Sequence, residues 1–363
     1  MHINIHYLRQ NLKNNMDLTR STLVILSHNR QHCLKQTLQF YKSTSLKLLV
    51  LDNSPLPLES EFIPSNCRYI NINESFALRS ARAAALVETP YTIVGADDEI
   101  YLLSSLEKMQ EFLDKNDDYV AVGGYAMAVW EYGPTIAASW AYKRTFRYHN
   151  NADTPLGRIQ LHTGGGSSPV TSFFTCNLTR TWAVKDCLSM YAKAPLLATD
   201  AISVLTICGA GKSKYLDLVY WVRNWNQSPR SHAGWDRRVF LHEWWLKPEN
   251  EQKREMFIGD LSSVYSKYTS ETNFSTAWSL ILKSDESLQR RVPVFKSKIR
   301  SLNENRRLKR VKYSIKRLTK PQLLPTTVSK LSAEMELLNI FIPKLELEKA
   351  TALVSKLLPY ESW

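Results

Sequence analysis

Residues 91–99 read YTIVGADDE, an apolar run that turns directly into three acidic residues, Asp97, Asp98 and Glu99. The β-branched stretch Tyr91–Val94 predicts a buried strand that the following glycine ends. Three adjacent carboxylates repel one another, and a bound divalent cation relieves that repulsion. Mg²⁺ and Mn²⁺ prefer oxygen ligands and commonly take one or two carboxylates together with substrate phosphates. The alternative is an acidic turn before a helix, where Asp and Glu are favoured in any case.

Two earlier strands end in polar residues in the same way. STLVIL at 21–26 runs into Ser27-His28-Asn29-Arg30, and LKLLVL at 46–51 runs into Asp52-Asn53-Ser54. Helical patterns lie between the predicted strands, so the order strand, helix, strand, strand, helix, strand indicates an open α/β sheet. Ligands of such sheets bind at the carboxyl ends of the strands. The three polar strand ends are therefore expected to form one binding edge.

The composition of the chain changes sharply near residues 285–293. Residues 20–285 continue the alternation of apolar strands and helices and are predicted to form the α/β domain. Residues 286–363 are predicted to form a basic helical extension. The extension includes two amphipathic helices on either side of Pro343, which are expected to cover the domain or to pair with a second subunit.

Almost all of the net charge of +13 lies in one segment of the chain. Residues 290–320 contain 13 of the 47 Lys and Arg residues and a single acidic residue. One face of the predicted helix there carries Leu308, Val311, Ile315 and Leu318. A cationic amphipathic helix suits an anionic membrane surface, where each basic residue contributes about 1 kcal/mol. The alternatives are packing against the protein's own domain or against a partner and, less favoured, binding to nucleic acid.

The expected location of the protein is cytoplasmic. No run of residues reaches the roughly 18–20 apolar residues that a membrane-spanning helix needs. Residues 1–15 lack the apolar core of a secretory signal. With residues 290–320 bound to lipid, the protein would be peripheral on the inner face of the plasma membrane.

The order and spacing of the motifs over residues 21–99 resemble the nucleotide-binding half of a family 2 glycosyltransferase with a GT-A fold. The matching segments are Ser27–Arg30 for a Thr/Ser-x-Asn-Arg tip, Asp52–Ser54 for Asp-Asp/Asn-Ser, Ala81–Ala85 in part for Ala-Arg-Asn-x-Gly, and Asp97–Glu99 for the Asp-x-Asp metal motif. The resemblance implies a bacterial surface-polysaccharide type of enzyme. Such an enzyme transfers sugar from a nucleotide-diphosphate donor, with UDP favoured, to a glycan or a lipid-linked glycan.

The resemblance also implies roles for individual residues. The residues expected to contact the donor nucleotide are Ser27, Asn29, Arg30, Asp52, Arg82, Asp97, Asp98 and Arg230. The expected ligands of Mn²⁺ or Mg²⁺ are Glu99, Asp98 and His232. For Arg82 the alternative is the solvated face of an Ala-rich helix, and for His232 it is a structural or exposed position.

A transfer that inverts the sugar carbon also needs a base to accept the proton of the acceptor hydroxyl. The resemblance places this acid at the start of a helix well after the metal motif. Asp200, followed by the apolar run Ala-Ile-Ser-Val-Leu, fits that place and is the predicted catalytic base. The alternative role for Asp200 is to stabilise the first turn of its helix.

A function of a different class remains open from the sequence. The chain would then be a non-catalytic, basic adaptor that binds membrane or nucleic acid on a GT-A-like scaffold. A sugar nucleotidyltransferase is disfavoured, because no Gly-rich loop with Arg and Lys follows the first strand.

Overall fold

Apolar runs of the sequence form the strands of one mixed β-sheet. The computed structural model describes residues 16–132, 135–141, 148–166, 176–224, 240–269, 273–287, 326–328, 331 and 344–356. Within these residues 11 strands belong to the sheet. The strands are β1 (Ser21–Ser27), β2 (Lys47–Asp52), β3 (Cys67–Asn71), β4 (Tyr91–Gly95), β5 (Glu99–Tyr101), β6 (Tyr119–Tyr132), β7 (Thr135–Trp140), β8 (His149–Asn150), β9 (Leu178–Arg180), β10 (Lys212–Asn224) and β11 (Thr326–Thr327).

The strand order is β11-β7-β6-β9-β4-β1-β2-β3, and β10 pairs with β6, β5 and β8. Strands β3, β2, β1 and β4 are parallel, and so are β6 and β10. The short strand β9 is antiparallel to both β4 and β6, so β4 and β6 run in the same direction. The carboxyl ends of β1 to β4, β6 and β10 therefore lie at one edge of the sheet, which we call the carboxyl edge.

Helices cover both faces of the sheet. They are α1 (Gln31–Tyr41), α2 (Phe76–Leu86), α3 (Leu103–Lys115), α4 (Pro155–Thr163), α5 (Thr181–Tyr191), α6 (Thr199–Ala210), α7 (Leu241–Leu246), α8 (Glu251–Tyr265), α9 (273–287) and α10 (Lys344–Lys356). Because side chains alternate along a strand, Leu23 and Ile25 enter the core on one face, whereas Val24 enters the core on the other. The first core includes residues of α1, α3 and α10, and the second includes residues of α2, α5, α6 and α8. No helix in the described part of the chain is long and apolar enough to cross a membrane.

The described residues beyond 325 are part of the same sheet and core as the N-terminal half. Strand β11 pairs antiparallel with β7 through Thr326 and Ala138. On α10, Leu347 and Val354 are buried in the core that α1 and α3 also line. The domain boundary near 285–293 stays a prediction, but residues on both sides of it build one core.

Glu346 of α10 is hydrogen-bonded to the beginning of α3. Its carboxylate accepts hydrogen bonds from the backbone N–H groups of Leu103 and Ser104 and from the Ser104 hydroxyl at 2.7 Å. These N–H groups have no partner within the helix, because the first turn of any helix leaves its amides unpaired. Burial raises the pKa of Glu346 above its usual range. Residues 103–104 follow β5 directly, so α10 supports the segment that carries the acidic motif.

The predicted α/β mixed sheet is confirmed, and so are the strands at 21–26, 46–51 and 91–94. The helix predicted to begin near Asp200 is α6. Residues 167–175, just before β9, lie outside the described residues. Arg230, His232 and the basic segment 290–320 also lie outside them, so their predicted roles stay predictions.

Candidate active site at the carboxyl edge

Polar residues end neighbouring strands at the same level of the sheet. In the register of β1, β2 and β3, Ser27 lies beside Asp52, and Asp52 lies beside Asn71. The loop that follows β4 brings Asp97 to the same place, where its carboxylate accepts a hydrogen bond from the Ser27 hydroxyl at 2.7 Å. The expected clustering of the polar strand ends is therefore found in the structure.

The Asp52 carboxylate is fully buried and organises the loop after β2. Its Oδ1 accepts hydrogen bonds from the N–H and the hydroxyl of Ser54, at 3.0 and 2.6 Å, and its Oδ2 accepts one from the Tyr69 hydroxyl at 2.8 Å. Ser54 in turn accepts a hydrogen bond at 2.9 Å from the backbone N–H of Asn29. Asn29 has a φ of 54°, a left-handed conformation that asparagine tolerates better than most residues. Through Ser54, Asp52 therefore holds the backbone of the exposed residue Asn29 in place.

Arg79 is the site residue that the sequence interpretation missed. Its guanidinium is buried beneath the carboxyl ends of β1 and β2, where Nη1 donates to the carbonyl oxygens of Ser27 and, at 3.0 Å, Leu51. Burial lowers its pKa, while the charges of Asp52, Glu74 and Asp97 act in the opposite direction. The available signal was helical spacing, since Arg79 lies four residues before the buried Ala83 and therefore on the same face of α2.

Arg82, which the resemblance selected, lies one turn further along α2 and is exposed. Its Nε donates to Glu74 at 3.1 Å, and its guanidinium forms an ion pair with the same carboxylate. In the described contacts Arg82 therefore neutralises Glu74, and Arg79 lies next to the acidic residues of the carboxyl edge.

A single arginine bridges the first two residues of the acidic motif. The Nη1 of Arg30 is 2.9 Å from Asp97 Oδ1, and its Nη2 is 2.5 Å from Asp98 Oδ2. The Thr37 hydroxyl fixes the same loop from α1 by donating to the backbone oxygen of Asp97 at 2.7 Å. Arg30, Asp97 and Asp98 thus form one ion-paired unit at the carboxyl edge.

Glu99 points toward a different partner. It pairs across the sheet with Arg223 of β10, with 3.6 Å between carboxylate and guanidinium. The Arg223 guanidinium also lies 5.2 Å from the ring centroid of Trp221, which stacks on Tyr101 with centroids 6.0 Å apart. Trp221 is buried between the sheet residues and packs against Tyr101.

Burial raises the pKa values of two of the acidic residues. The pKa of Asp97 is raised to about 6, although Arg30 opposes the shift. Burial raises the pKa of Glu99 to about 7, with the charge of Arg223 opposing the rise and that of Asp98 adding to it. Both carboxyls therefore hold a proton in the metal-free protein at a pH where an exposed carboxyl is ionised.

We expect the free energy of unfolding of the metal-free protein to fall as the pH rises from about 5 to 8. The folded protein holds the proton of Glu99 until about pH 7, whereas the unfolded chain releases it near 4.3. The contribution of protonated Glu99 to the free energy of unfolding is therefore complete below about pH 4.3. It is lost as the pH rises through about 7, and the total loss is on the order of 1–3 kcal/mol.

Urea unfolding at several pH values in the presence of a chelator measures this dependence. Glu99→Gln should flatten the slope of stability against pH. Glu111→Gln is the control, because Glu111 is exposed and its only described ion pair is with Lys115 on the same helix. A slope that is the same in the Glu99→Gln variant and in the unmodified protein contradicts the assignment.

The acidic motif suits a divalent cation that arrives with other ligands. In the part of the chain that the structure describes, no group of three or more His, Cys, Asp or Glu side chains is arranged to hold a metal ion. Asp98 and Glu99 are nevertheless close enough for the charge of Asp98 to affect the pKa of Glu99. Two carboxylates plus phosphate oxygens are a common set of ligands for Mg²⁺. The described residues therefore fit a metal that a diphosphate helps to hold.

Asp200 lies in the first turn of α6, on the same edge of the sheet. The helix is buried from Ala201 to Gly209, and Asp200 is the acidic residue of its first turn. Phe76 begins α2 just beyond the carboxyl end of β3 and stacks on Tyr191 with ring centroids 6.1 Å apart. The charge of Asp200 acts on Tyr191, whose hydroxyl is hydrogen-bonded to Ser203 of α6 at 2.6 Å. These contacts place the beginning of α6 at the carboxyl edge.

The N-cap residue of α6 is Ala198, so Asp200 is not the cap itself.

Comparisons with known proteins give distant similarities only. No protein-family model and no curated protein matches the chain. Residues 1–349 of S. aureus TarS superpose with a TM-score of 0.41 and 11% identity over 74% of this chain and 89% of that chain. The same residues of S. aureus TarS in complex with UDP-GlcNAc give a TM-score of 0.42 and 10% identity over 74% of this chain and 90% of that chain. Another structure of S. aureus TarS gives 0.38 and 11%, over 74% of this chain and 54% of that chain. These values are too low to assign the chain to a family.

Proposed function

We propose that this protein is a nucleotide-sugar-dependent glycosyltransferase that binds its donor at the carboxyl edge and inverts the configuration of the transferred sugar. One observation carries the proposal: the acidic motif 97–99, the polar ends of β1 and β2, and Asp200 lie at the same edge of one α/β sheet. Such edges are where α/β sheets bind nucleotides.

The donor half of the proposal rests on the charged groups of this edge. Arg30 and Arg79 provide guanidinium groups close to Asp97, and guanidinium suits the oxygens of a diphosphate. Asn29, which is exposed, remains a proposed contact of the nucleoside, and the buried side chains of Ser27 and Asp52 shape the loops on either side of it. Arg230, which follows β10 in the sequence, is a further proposed phosphate ligand.

Asp98 and Glu99 would hold Mn²⁺ or Mg²⁺, with His232 as the third proposed protein ligand. When bound, the cation neutralises charge on the departing diphosphate. Arg30 and Arg79 orient the diphosphate by electrostatic attraction, and the buried Ser27–Asp97 hydrogen bond keeps the loop in place.

The proposed role of Asp200 is to accept a proton from the acceptor hydroxyl. As the hydroxyl oxygen forms its bond to the anomeric carbon, the bond between that carbon and the diphosphate oxygen breaks. The proton moves to the Asp200 carboxylate, and the electron pair of the broken bond leaves with the nucleoside diphosphate. Attack from the side opposite to the leaving group inverts the sugar carbon.

The test is thermal unfolding of the full chain with UDP, GDP, CDP and ADP, each with and without Mn²⁺. UDP-GlcNAc, the ligand of the TarS complex, serves as one donor probe. A nucleotide at 100 times its Kd adds about 2.7 kcal/mol to the free energy of unfolding, which raises Tm by several degrees.

We expect UDP with Mn²⁺ to raise Tm and Asp98→Asn to remove most of the increase. Asp118→Asn is the matched control, because Asp118 pairs with Lys212 just before β6 and β10, at the opposite edge of the sheet. An unchanged Tm with every nucleotide would refute donor binding.

The proposed acceptor is a hydroxyl of a glycan or of a lipid-linked glycan. The basic segment 290–320 would then hold the enzyme at an anionic membrane surface. The adaptor function depends on this segment alone, so it predicts binding to anionic vesicles without any effect of nucleotides or of the Asp98→Asn change.

A further inference from the structure

We propose that Arg30 is an internal counter-ion that occupies the acidic motif until the donor binds, so that the protein takes up a divalent cation strongly only together with the donor diphosphate. This inference rests on the proposed function and adds the order in which the charges of the site are exchanged.

The first observation is the geometry of the ion pairs. One guanidinium contacts Asp97 at 2.9 Å and Asp98 at 2.5 Å. The Arg30 side chain is 14% exposed and the Asp97 side chain 3%, so water screens the interaction weakly. Since two carboxylates share one guanidinium, the unit keeps a single negative charge.

The second observation is the difference between the two carboxylates. Asp97 Oδ2 accepts a hydrogen bond from Ser27, whereas the buried Asp97 Oδ1 has no hydrogen-bond partner among the described residues and is held only by its ion pair with Arg30. The described partner of Asp98 is Arg30. A cation that binds Asp98 therefore competes directly with the Arg30 guanidinium, whereas Asp97 keeps its bond to Ser27.

The third observation is the small number of protein ligands. Within the described ranges no three His, Cys, Asp or Glu side chains are grouped to hold a metal ion. A cation without nucleotide would have to displace Arg30 in return for two carboxylates. A diphosphate changes this balance, because its oxygens complete the coordination of the cation and also offer the Arg30 guanidinium new acceptors. Cation and nucleotide should then each increase the affinity for the other.

The experiment measures Mn²⁺ binding to the full chain by titration calorimetry or by the EPR signal of free Mn²⁺, with and without UDP. In the unmodified protein UDP should increase the affinity for Mn²⁺ by about 5- to 150-fold, the usual range of coupling between two sites. Arg30→Gln should bind Mn²⁺ about tenfold more tightly than the unmodified protein in the absence of UDP, and the effect of UDP should shrink.

Two more variants control for folding and for general loss of charge. Arg30→Lys keeps a positive charge but cannot bridge two carboxylates in the same way, so its Mn²⁺ affinity should lie between those of the other two proteins. Arg20→Gln removes an arginine that pairs with Asp114 at 2.8 Å, just before β1 and therefore at the opposite edge, and should leave Mn²⁺ binding unchanged.

The inference is overturned if Arg30→Gln and Arg30→Lys, both still unfolding cooperatively, bind Mn²⁺ no better than Arg20→Gln. It is also overturned if UDP stabilises the unmodified protein and yet leaves its affinity for Mn²⁺ unchanged. Failure of the proposed function looks different, because then UDP would not stabilise any of the four proteins. In that case the Mn²⁺ affinities of the Arg30 and Arg20 variants without UDP still decide whether Arg30 competes with the cation.

Discussion

Replacing Asp200 with asparagine should lower the turnover of sugar transfer by about 10²–10⁴-fold, the usual contribution of a general base. Asparagine has nearly the same shape but cannot accept the proton of the acceptor hydroxyl. Because Asp200 is proposed to act on the acceptor, the affinity for UDP and Mn²⁺ should stay within about threefold of that of the unmodified protein.

Steady-state rates with a UDP-sugar, combined with UDP binding by calorimetry, measure both effects. Asp260→Asn is the matched control, because Asp260 is the partly exposed partner of Lys193 at 2.7 Å, on α8. The control should retain both turnover and binding. Near-normal turnover in the Asp200→Asn variant would mean that a different group accepts the proton and that Asp200 only favours the first turn of α6.

Truncating Leu347 to alanine should lower the free energy of unfolding by about 2–5 kcal/mol, the usual cost of removing a buried leucine side chain. Leu347 is 1% exposed and lies in the core that α1, α3 and α10 line together. The neighbouring Leu345 is 36% exposed on the same helix, so Leu345→Ala is the matched control. Chemical unfolding of both variants gives the comparison.

A loss below about 1 kcal/mol, the level of an ordinary surface substitution, would contradict the packing of α10 in the core. If the prediction holds, deleting the residues after 325 removes part of the sheet and of the core. Such a deletion would then abolish any activity by unfolding the protein. Substitutions of basic residues within 290–320 are the appropriate way to test membrane binding.

The sequence was most informative where structure is local. Apolar runs rich in leucine and β-branched residues predicted β1, β2 and β4. The polar residues after them marked the carboxyl edge, because the carboxyl ends of parallel strands meet there. The helix that contains Asp200 was also predicted, because the residues after Asp200 are mostly apolar. In the structure the nine residues from Ala201 to Gly209 are all buried.

Contacts between distant parts of the chain could not be predicted in this way. The bridge from Arg30 to two carboxylates depends on how the loop after β1 and the loop after β4 approach each other, which no local pattern encodes. The pairing of β11 with β7 joins short segments that lie far apart in the chain. The motif pointed to Arg82, whose role stays a prediction, whereas the spacing of buried alanines favoured Arg79, one turn earlier on the same helix.

The hydrogen bonds from the beginning of α3 to Glu346 also set the order of events during synthesis. Ser104 and Glu346 are separated by 242 positions in the chain. At about 5–20 residues per second, a ribosome needs roughly 12–50 s to pass from one to the other. During that interval the segment after the acidic motif lacks its cap, and part of the apolar face that α10 later covers remains open to solvent. The nascent chain is therefore expected to expose apolar surface next to the proposed donor site until most of the protein has been translated.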